Sequence, residues 1–239
     1  MKTILAMNNE RFDILRKLED NSLLESNKDI VRKDCVKMHD LVRDMALQIT
    51  RTSPRFMVEA GKALTKLPKK RKWIEDLEKV SLMWNKIDEI PSSILSSKCT
   101  MFTTLLLSHN NLSKISEYVF EHLLRLKILD LSYNEYLKSL PTSISKLLNL
   151  TTLLLEMTSL TNVPSLSEFR AIKKLDLGWT RIKKAPKSLE MCTNLKYLSL
   201  RGYWGTILLN LSKLQQLFVD ERNSVKRESD MDIEEVGSF

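Results

Sequence analysis

Glycine is scarce in this chain: 5 residues in 239, with no low-complexity tract around them. Apolar residues make up 43%, enough to build a core. Long apolar runs are missing, and nothing approaches the ~18 residues of a membrane span. The start, Met1 to Met7, gives way to Asn8-Asn9-Glu10 too soon for a secretory signal. Cysteine is sparse and odd in number. Cys35, Cys99 and Cys192 lie far apart, so they read as buried thiols in a reducing compartment, not as disulfides or a zinc site. The three histidines, His39, His109 and His122, share no metal-ligand spacing. No Ser/His/Asp or Cys/His set is apparent, so neither a catalytic nor a metal site is expected.

The formal net charge is +8. The excess is spread along the chain, with denser spots at 66–72 and 170–187. No RNA- or DNA-binding motif goes with them, so a solvated surface or a protein partner is favoured over nucleic acid. Residues 221–239 reverse the sign and lack periodicity. They have the composition of a disordered tail, or of the start of a further coil.

What the chain has in abundance is one repeated phrase. It stands at Leu77-x-x-Val80-x-Leu82-x-x-Asn85, at Phe102-x-x-Leu105-x-Leu107-x-x-Asn110 and at Leu126-x-x-Leu129-x-Leu131-x-x-Asn134. With Thr in the last place it recurs from Leu150 to Thr158 and from Ile172 to Thr180. Degraded forms begin at Leu195 and Leu214. The first positions are 25, 24, 24, 22, 23 and 19 residues apart. That is the period and pattern of leucine-rich repeats. The alternating apolar residues bury one face of a short strand. The Asn turns the chain and bonds backbone groups that would otherwise be buried without partners. Return legs carry a second apolar set: Ile87, Ile90 and Ile94, then Leu112, Ile115 and Phe120, then Leu137, Leu140 and Ile144. One coil cannot bury these faces alone, but stacked coils share a core. The expected fold is an α/β solenoid of six to seven repeats with parallel strands, over 77–220.

Ahead of the repeats, residues 10–19 have helical apolar spacing, and Asp20-Asn21-Ser22 reads as a turn. Val36 and Met38 alternate with polar residues as a short strand does. From Asp40 the period changes to the helical stripe Leu41, Val42, Met45, Ala46 and Ile49. Asp40 suits the N-cap of that helix, and the strand-to-helix corner can hold an anion. On spacing alone the simpler reading is a cap and a surface turn. Residues 53–76 read as a solvated linker or, equally, as a docking surface for a further domain, with a short strand at Phe56-Met57-Val58.

The stretch Val36-Lys37-Met38-His39-Asp40-Leu41-Val42-Arg43-Asp44-Met45-Ala46 resembles the Met-His-Asp motif of plant nucleotide-binding leucine-rich-repeat disease-resistance proteins, most closely their coiled-coil subclass. Residues 73–83 are similar to the way that family enters its first repeat. Leu140-Pro141-Thr142-Ser143-Ile144 is similar to its recurrent Leu-Pro-x-x-Ile phrase. The resemblance implies that residues 1–52 are a small, mostly helical winged-helix remnant. It implies that His39 contacts the β-phosphate of ADP, that Asp40 fixes local geometry and that Met38 packs beneath. It also implies a cytoplasmic protein, or one peripheral at the plasma membrane. The family's phosphate loop, G-x-x-x-x-G-K-[ST], is absent, since Gly61-Lys62 has no preceding glycine at the required distance. ADP or ATP is therefore expected only together with an upstream nucleotide-binding domain, and the chain alone is expected to be no enzyme. It reads as a C-terminal piece of a receptor.

The implied partners are proteins: a pathogen effector, a guarded host protein, or the receptor's own nucleotide-binding lobes. The rival reading is a generic repeat scaffold unconnected with immunity. In each repeat the second position after the last strand leucine points to the concave face. These positions are Trp84, His109, Tyr133, Met157, Trp179 and Gly202, four of them rings, with Tyr197 and Tyr203 nearby. A strip of exposed rings marks a binding surface. The rings could instead fold down over the turn asparagines. Lys173, Lys174, Lys183 and Lys184 are expected beside Trp179, facing an acidic partner.

Overall fold

The structure is a computed structural model. It describes residues 13–14, 16–21, 23–26, 36–52, 55–92, 101–183, 186–202, 207–209, 213–219, 225–227 and 234–235. The chain divides into two compact units, one ending at Pro54 and one beginning at Arg55.

In the first unit residues 16–20 are helical and end in a turn, where the Asn21 side-chain amide donates to the Lys17 carbonyl at 2.7 Å. Strands β1 (Leu24–Ser26) and β2 (Val36–Met38) pair antiparallel, with Leu24 opposite Met38. Helix α1 (Asp40–Ile49) follows directly. None of its residues is buried, and Leu41, Met45 and Ile49 stand one turn apart on an exposed apolar face.

The second unit is the solenoid. Its strands are β3 (Arg55–Val58), β4 (Leu77–Ser81), β5 (Glu89–Ile90), β6 (Thr104–Leu106), β7 (Lys114–Ile115), β8 (Ile128–Asp130), β9 (Thr152–Leu154), β10 (Lys174–Asp176), β11 (Tyr197–Ser199), β12 (Ile207–Leu209), β13 (Gln216–Phe218), β14 (Val225–Arg227) and β15 (Glu234–Glu235). Among the described residues nine of them form one sheet in the order β15-β13-β11-β10-β9-β8-β6-β4-β3, with every pairing parallel. The register sets Met57, Val80, Leu105, Leu129, Leu153, Leu175, Leu198 and Leu217 side by side, and all are buried. The second leucine row, Leu82 to Leu200, is buried behind them. The return legs close the core with Ile87, Ile90, Leu112, Ile115, Phe120, Leu137, Leu140 and Ile144, all buried. Ile94 lies outside the described residues. Among the described residues these legs are not α-helical: β5 pairs with β7, and Thr142–Lys146 and Leu189–Met191 are short 3-10 turns.

Of the expected linker 53–76, the described residues 55–76 belong to the solenoid instead. Strand β3 lies in the ladder beside β4, Leu67 and Trp73 are buried, and the Trp73 indole N–H donates to the Pro68 carbonyl at 2.9 Å. The solenoid therefore begins about one coil earlier than the phrase Leu-x-x-Leu-x-Leu-x-x-Asn reveals. That coil offers Met57 in place of the first strand leucine, and its register slips between Arg55 and Phe56. In the charged tail, the described strands β14 and β15 pair with β12 and β13, in the manner of a further coil.

Candidate functional site

The turn asparagines set up the rim of the sheet. The Asn110 amide donates to Leu82 and Leu107 carbonyls at 2.9 and 3.0 Å and accepts from the Ile87 N–H at 3.0 Å. Asn134 repeats this with Leu107, Leu131 and Leu112. Asn85 does the same toward the first coil, accepting from Lys62 and Leu64 and donating to the Glu59 carbonyl. Each asparagine thus ties its own turn to the coil before it. Thr158 and Thr180 each have a single hydroxyl, which donates to the carbonyl three residues back, of Leu155 and Leu177. Neither hydroxyl reaches the preceding coil, though beside Thr158 the Ser159 hydroxyl donates to the Glu135 carbonyl at 2.6 Å.

Just before each of these turn residues the backbone enters the left-handed region. Trp84, His109, Tyr133, Met157 and Trp179 have φ between 53 and 57°, and Gly61 and Gly202 share the conformation at 67 and 74°. Such angles are rare for large side chains. The register explains their recurrence. Trp84, His109, Tyr133, Met157 and Trp179 each donate the backbone N–H to the carbonyl just before the next member of the column, at 2.6 to 3.1 Å. Gly61 donates in the same way to the Met83 carbonyl, at 2.9 Å.

The side chains form a column as well. Trp84 and His109 stack at 3.6 Å with planes 9° apart, and His109 and Tyr133 at 4.2 Å and 10°. Trp84, Tyr133 and Trp179 remain 44%, 37% and 51% exposed. At the far end the Trp179 indole lies over Gly202, where an added Cβ would meet its Cε3 at 2.9 Å. Glycine suits this place on both counts, the approach and the φ. Three of the rings, Trp84, His109 and Tyr133, rest on one another.

Beside the column lies a polar row that the sequence reading did not single out. Asp130, Glu156 and Asp176 come from successive coils, at positions between or just after the strand leucines. Asp130 and Asp176 each accept from the backbone N–H two residues on, of Ser132 and Gly178, at 3.0 Å. Glu156 accepts from the Tyr133 hydroxyl. Burial pushes the Glu156 carboxyl above its ordinary range and the Asp176 charge adds to this, with Arg201 and Tyr133 opposing. Tyr197 donates to Asp176 at 3.4 Å, and burial together with that carboxylate raises its phenol strongly. Lys174 places its ammonium 4.4 Å from the Tyr197 ring centre, a cation–π contact. Arg201 stands over Phe218 at 5.0 Å. The alternation of strand side chains could have pointed to this row, because any polar residue flanked by strand leucines must face away from the core.

The lysines expected together beside Trp179 are parted. Lys173 and Lys174 lie on the sheet, while Lys183 lines a hollow on the return side. Lys184 and Tyr203 fall outside the described residues.

At the other candidate site, His39 caps α1 and Asp40 does not. The His39 Nδ1 accepts from the Leu41 N–H at 3.2 Å. Asp40 is the first helical residue and pairs with Arg43 at 2.9 Å across one turn. Met38 ends β2 at this corner and is 39% exposed. With Nδ1 accepting, Nε2 is the ring nitrogen left to donate. Among the described residues no group of His, Cys, Asp and Glu could hold a metal, and no helix is long and apolar enough to cross a membrane.

The family model for leucine rich repeats matches residues 101–160. Curated Arabidopsis thaliana proteins match over most of the chain. Disease resistance protein UNI is 36% identical over 192 residues, which is 77% of this chain and 21% of the relative. Disease resistance protein RFL1 is 37% identical over 216 residues, 87% of this chain and 24% of the relative. Disease resistance protein RPS5 is 34% identical over 200 residues, 82% and 22% respectively. The chain is homologous to plant nucleotide-binding leucine-rich-repeat disease-resistance proteins. It spans about a fifth to a quarter of the length of these relatives. The homology to disease-resistance proteins disfavours a scaffold unconnected with defence.

Proposed function

We propose that the chain acts as the protein-recognition and autoinhibitory module of a plant immune receptor, with the aromatic column as its contact surface. The stacked, part-exposed run Trp84–His109–Tyr133, continued by Trp179, carries this reading. The rings stand ready in fixed positions, so docking costs little side-chain entropy. The polar row beside them supplies directional hydrogen bonds. The partner is a protein: the receptor's own nucleotide-binding lobes at rest, or an effector or guarded host protein on activation. A pull-down with the nucleotide-binding lobes tests it. Trp179→Ala and Tyr133→Ala should each weaken capture by about tenfold or more. Tyr118→Ala, an exposed ring on a return leg, should not. Equal capture by all the variants, with unchanged melting temperatures, would reduce the column to packing.

His39 extends the reading. Its Nε2–H is available to donate to the β-phosphate of ADP held by upstream lobes, and Asp40, through Arg43, braces the corner. Without upstream lobes the His39 corner has no backbone cradle for phosphates, so His39→Ala should leave any calorimetric ADP binding by residues 1–239 unchanged. In a receptor carrying the upstream lobes, Asp40→Val should speed nucleotide exchange. An unchanged exchange rate would count against this role.

A further inference from the structure

Between two return legs lies a hollow of about 770 Å³. Thr161, Asn162, Val163 and Ser165 of one leg line it, with Arg181, Lys183, Pro186 and Lys187 of the next. Its position follows from the turn residues. Where asparagine ties the coils, the return legs run side by side: β5 pairs with β7, and Asn111, Ser113 and Ser116 donate to the leg before them. The legs around this hollow follow Thr158 and Thr180, which lack that tie. Their described backbone bonds lie at the two ends, Arg181 N–H to the Leu160 carbonyl at 2.9 Å and Leu166 N–H to the Lys187 carbonyl at 3.2 Å. The space opens between them.

Its chemistry is one-sided. Arg181, Lys183 and Lys187 bring three cations, and among the described residues no carboxylate forms an ion pair with any of them. Thr161 and Asn162 add neutral polar groups, while the Ser165 hydroxyl is engaged with Ser167 and Ser188. Val163 and the buried Pro186 supply an apolar wall. Three uncompensated cations at one hollow repel each other, and a multiply charged anion relieves that. A guanidinium fork matches two phosphate oxygens at once, and the flanking ammonium groups add charge without demanding geometry. The volume falls in the range that holds a small organic ligand.

We propose that this hollow is a binding site for a small phosphorylated molecule, with Arg181 and Lys187 gripping the phosphate and Val163 and Pro186 contacting the organic body. The same chemistry could be presented by a free phosphate compound or by a phospholipid headgroup. Calorimetry of the full chain with inorganic pyrophosphate at low salt should show saturable binding at one site. Arg181→Gln and Lys187→Gln should each weaken it by at least tenfold at unchanged melting temperature. Lys127→Gln, which removes the same charge from the sheet, should change it less than twofold. In a second arm, sedimentation with phosphatidic acid vesicles against phosphatidylcholine vesicles reads the lipid source. Binding there that Arg181→Gln abolishes, without binding of pyrophosphate, supports a headgroup site. No saturable binding in either arm, or equal weakening by Lys127→Gln, overturns the proposal.

Discussion

Single residues hold the coils together, and Asn134 shows how much one can do. It is fully buried, and its one amide serves three carbonyls and an N–H from two coils. Asn134→Ala should lower stability by roughly 2–4 kcal/mol, because each buried backbone group left without a partner costs about 1–3. Asn134→Thr should fall between, since a hydroxyl keeps the local bond alone, as at Thr158. Urea unfolding of the three proteins checks the order. Glu156 behaves in the opposite sense. Burial raises its carboxyl, so the folded state resists ionisation that the unfolded chain accepts. It therefore costs stability once pH rises past the ordinary carboxylate range, and costs nothing when protonated below it. Glu156→Gln should raise the melting temperature at pH 7 and leave it unchanged near pH 4. A larger gain at pH 4 would contradict the assignment. Cys192 needs no special role: its thiol is buried and pushed up to about 11, chiefly by burial and then by Glu190.

Individual strands supply little by themselves, being three to five residues long across most of the ladder. Their stability comes from neighbours above and below. Leu129 sits in β8 with Leu105 and Leu153 in register on either side, fully buried. Leu129→Ala should cost about 2–5 kcal/mol, and an equivalent truncation at Leu217, nearer the end of the array, should cost less. Chemical denaturation of both variants measures the gradient. This periodic part of the fold was legible in the sequence, because a strand leucine and a turn asparagine answer to local geometry that repeats every coil. The ring column was legible for the same reason: a fixed offset from the leucines names Trp84 through Gly202. Its stacking was not, since contact between rings depends on rotamers in the left-handed backbone. The cap at α1 was misplaced by one residue. Asp and His can both accept from a helix N–H, and spacing alone cannot say which of two adjacent acceptors turns inward. The row Asp130, Glu156 and Asp176 was readable in principle but drew no notice, because scattered carboxylates become a cluster only when the coils stack.

At the scale of the whole solenoid the question is what covers the ends of a core open by construction. The coil from Arg55 to Trp73 answers it at the first end. Met57, Leu67 and Trp73 lay apolar surface against Leu77 and Val80, and the Trp73 ring meets Phe102 edge-on at 6.3 Å. Outside, the coil is polar and charged. Lys72 and Lys62 both reach Glu59, at 2.5 and 3.0 Å, and against the upward push of burial they hold its carboxyl below the usual range. Lys79 of β4 covers the Phe56 ring at 4.7 Å. A terminal coil with an apolar inner face and a polar outer one is what a repeat array needs for solubility. Two truncations separate this reading from that of a passive linker. A protein comprising residues 55–239 should melt cooperatively, close to the full chain. One comprising 77–239 should melt lower, and should bind an apolar dye such as ANS, because the first leucine row would face water without the coil that covers it. Both measurements need only purified protein and a thermal ramp. If the two truncations melt together and neither binds the dye, the segment before Leu77 contributes no cap, and the array must close its own end.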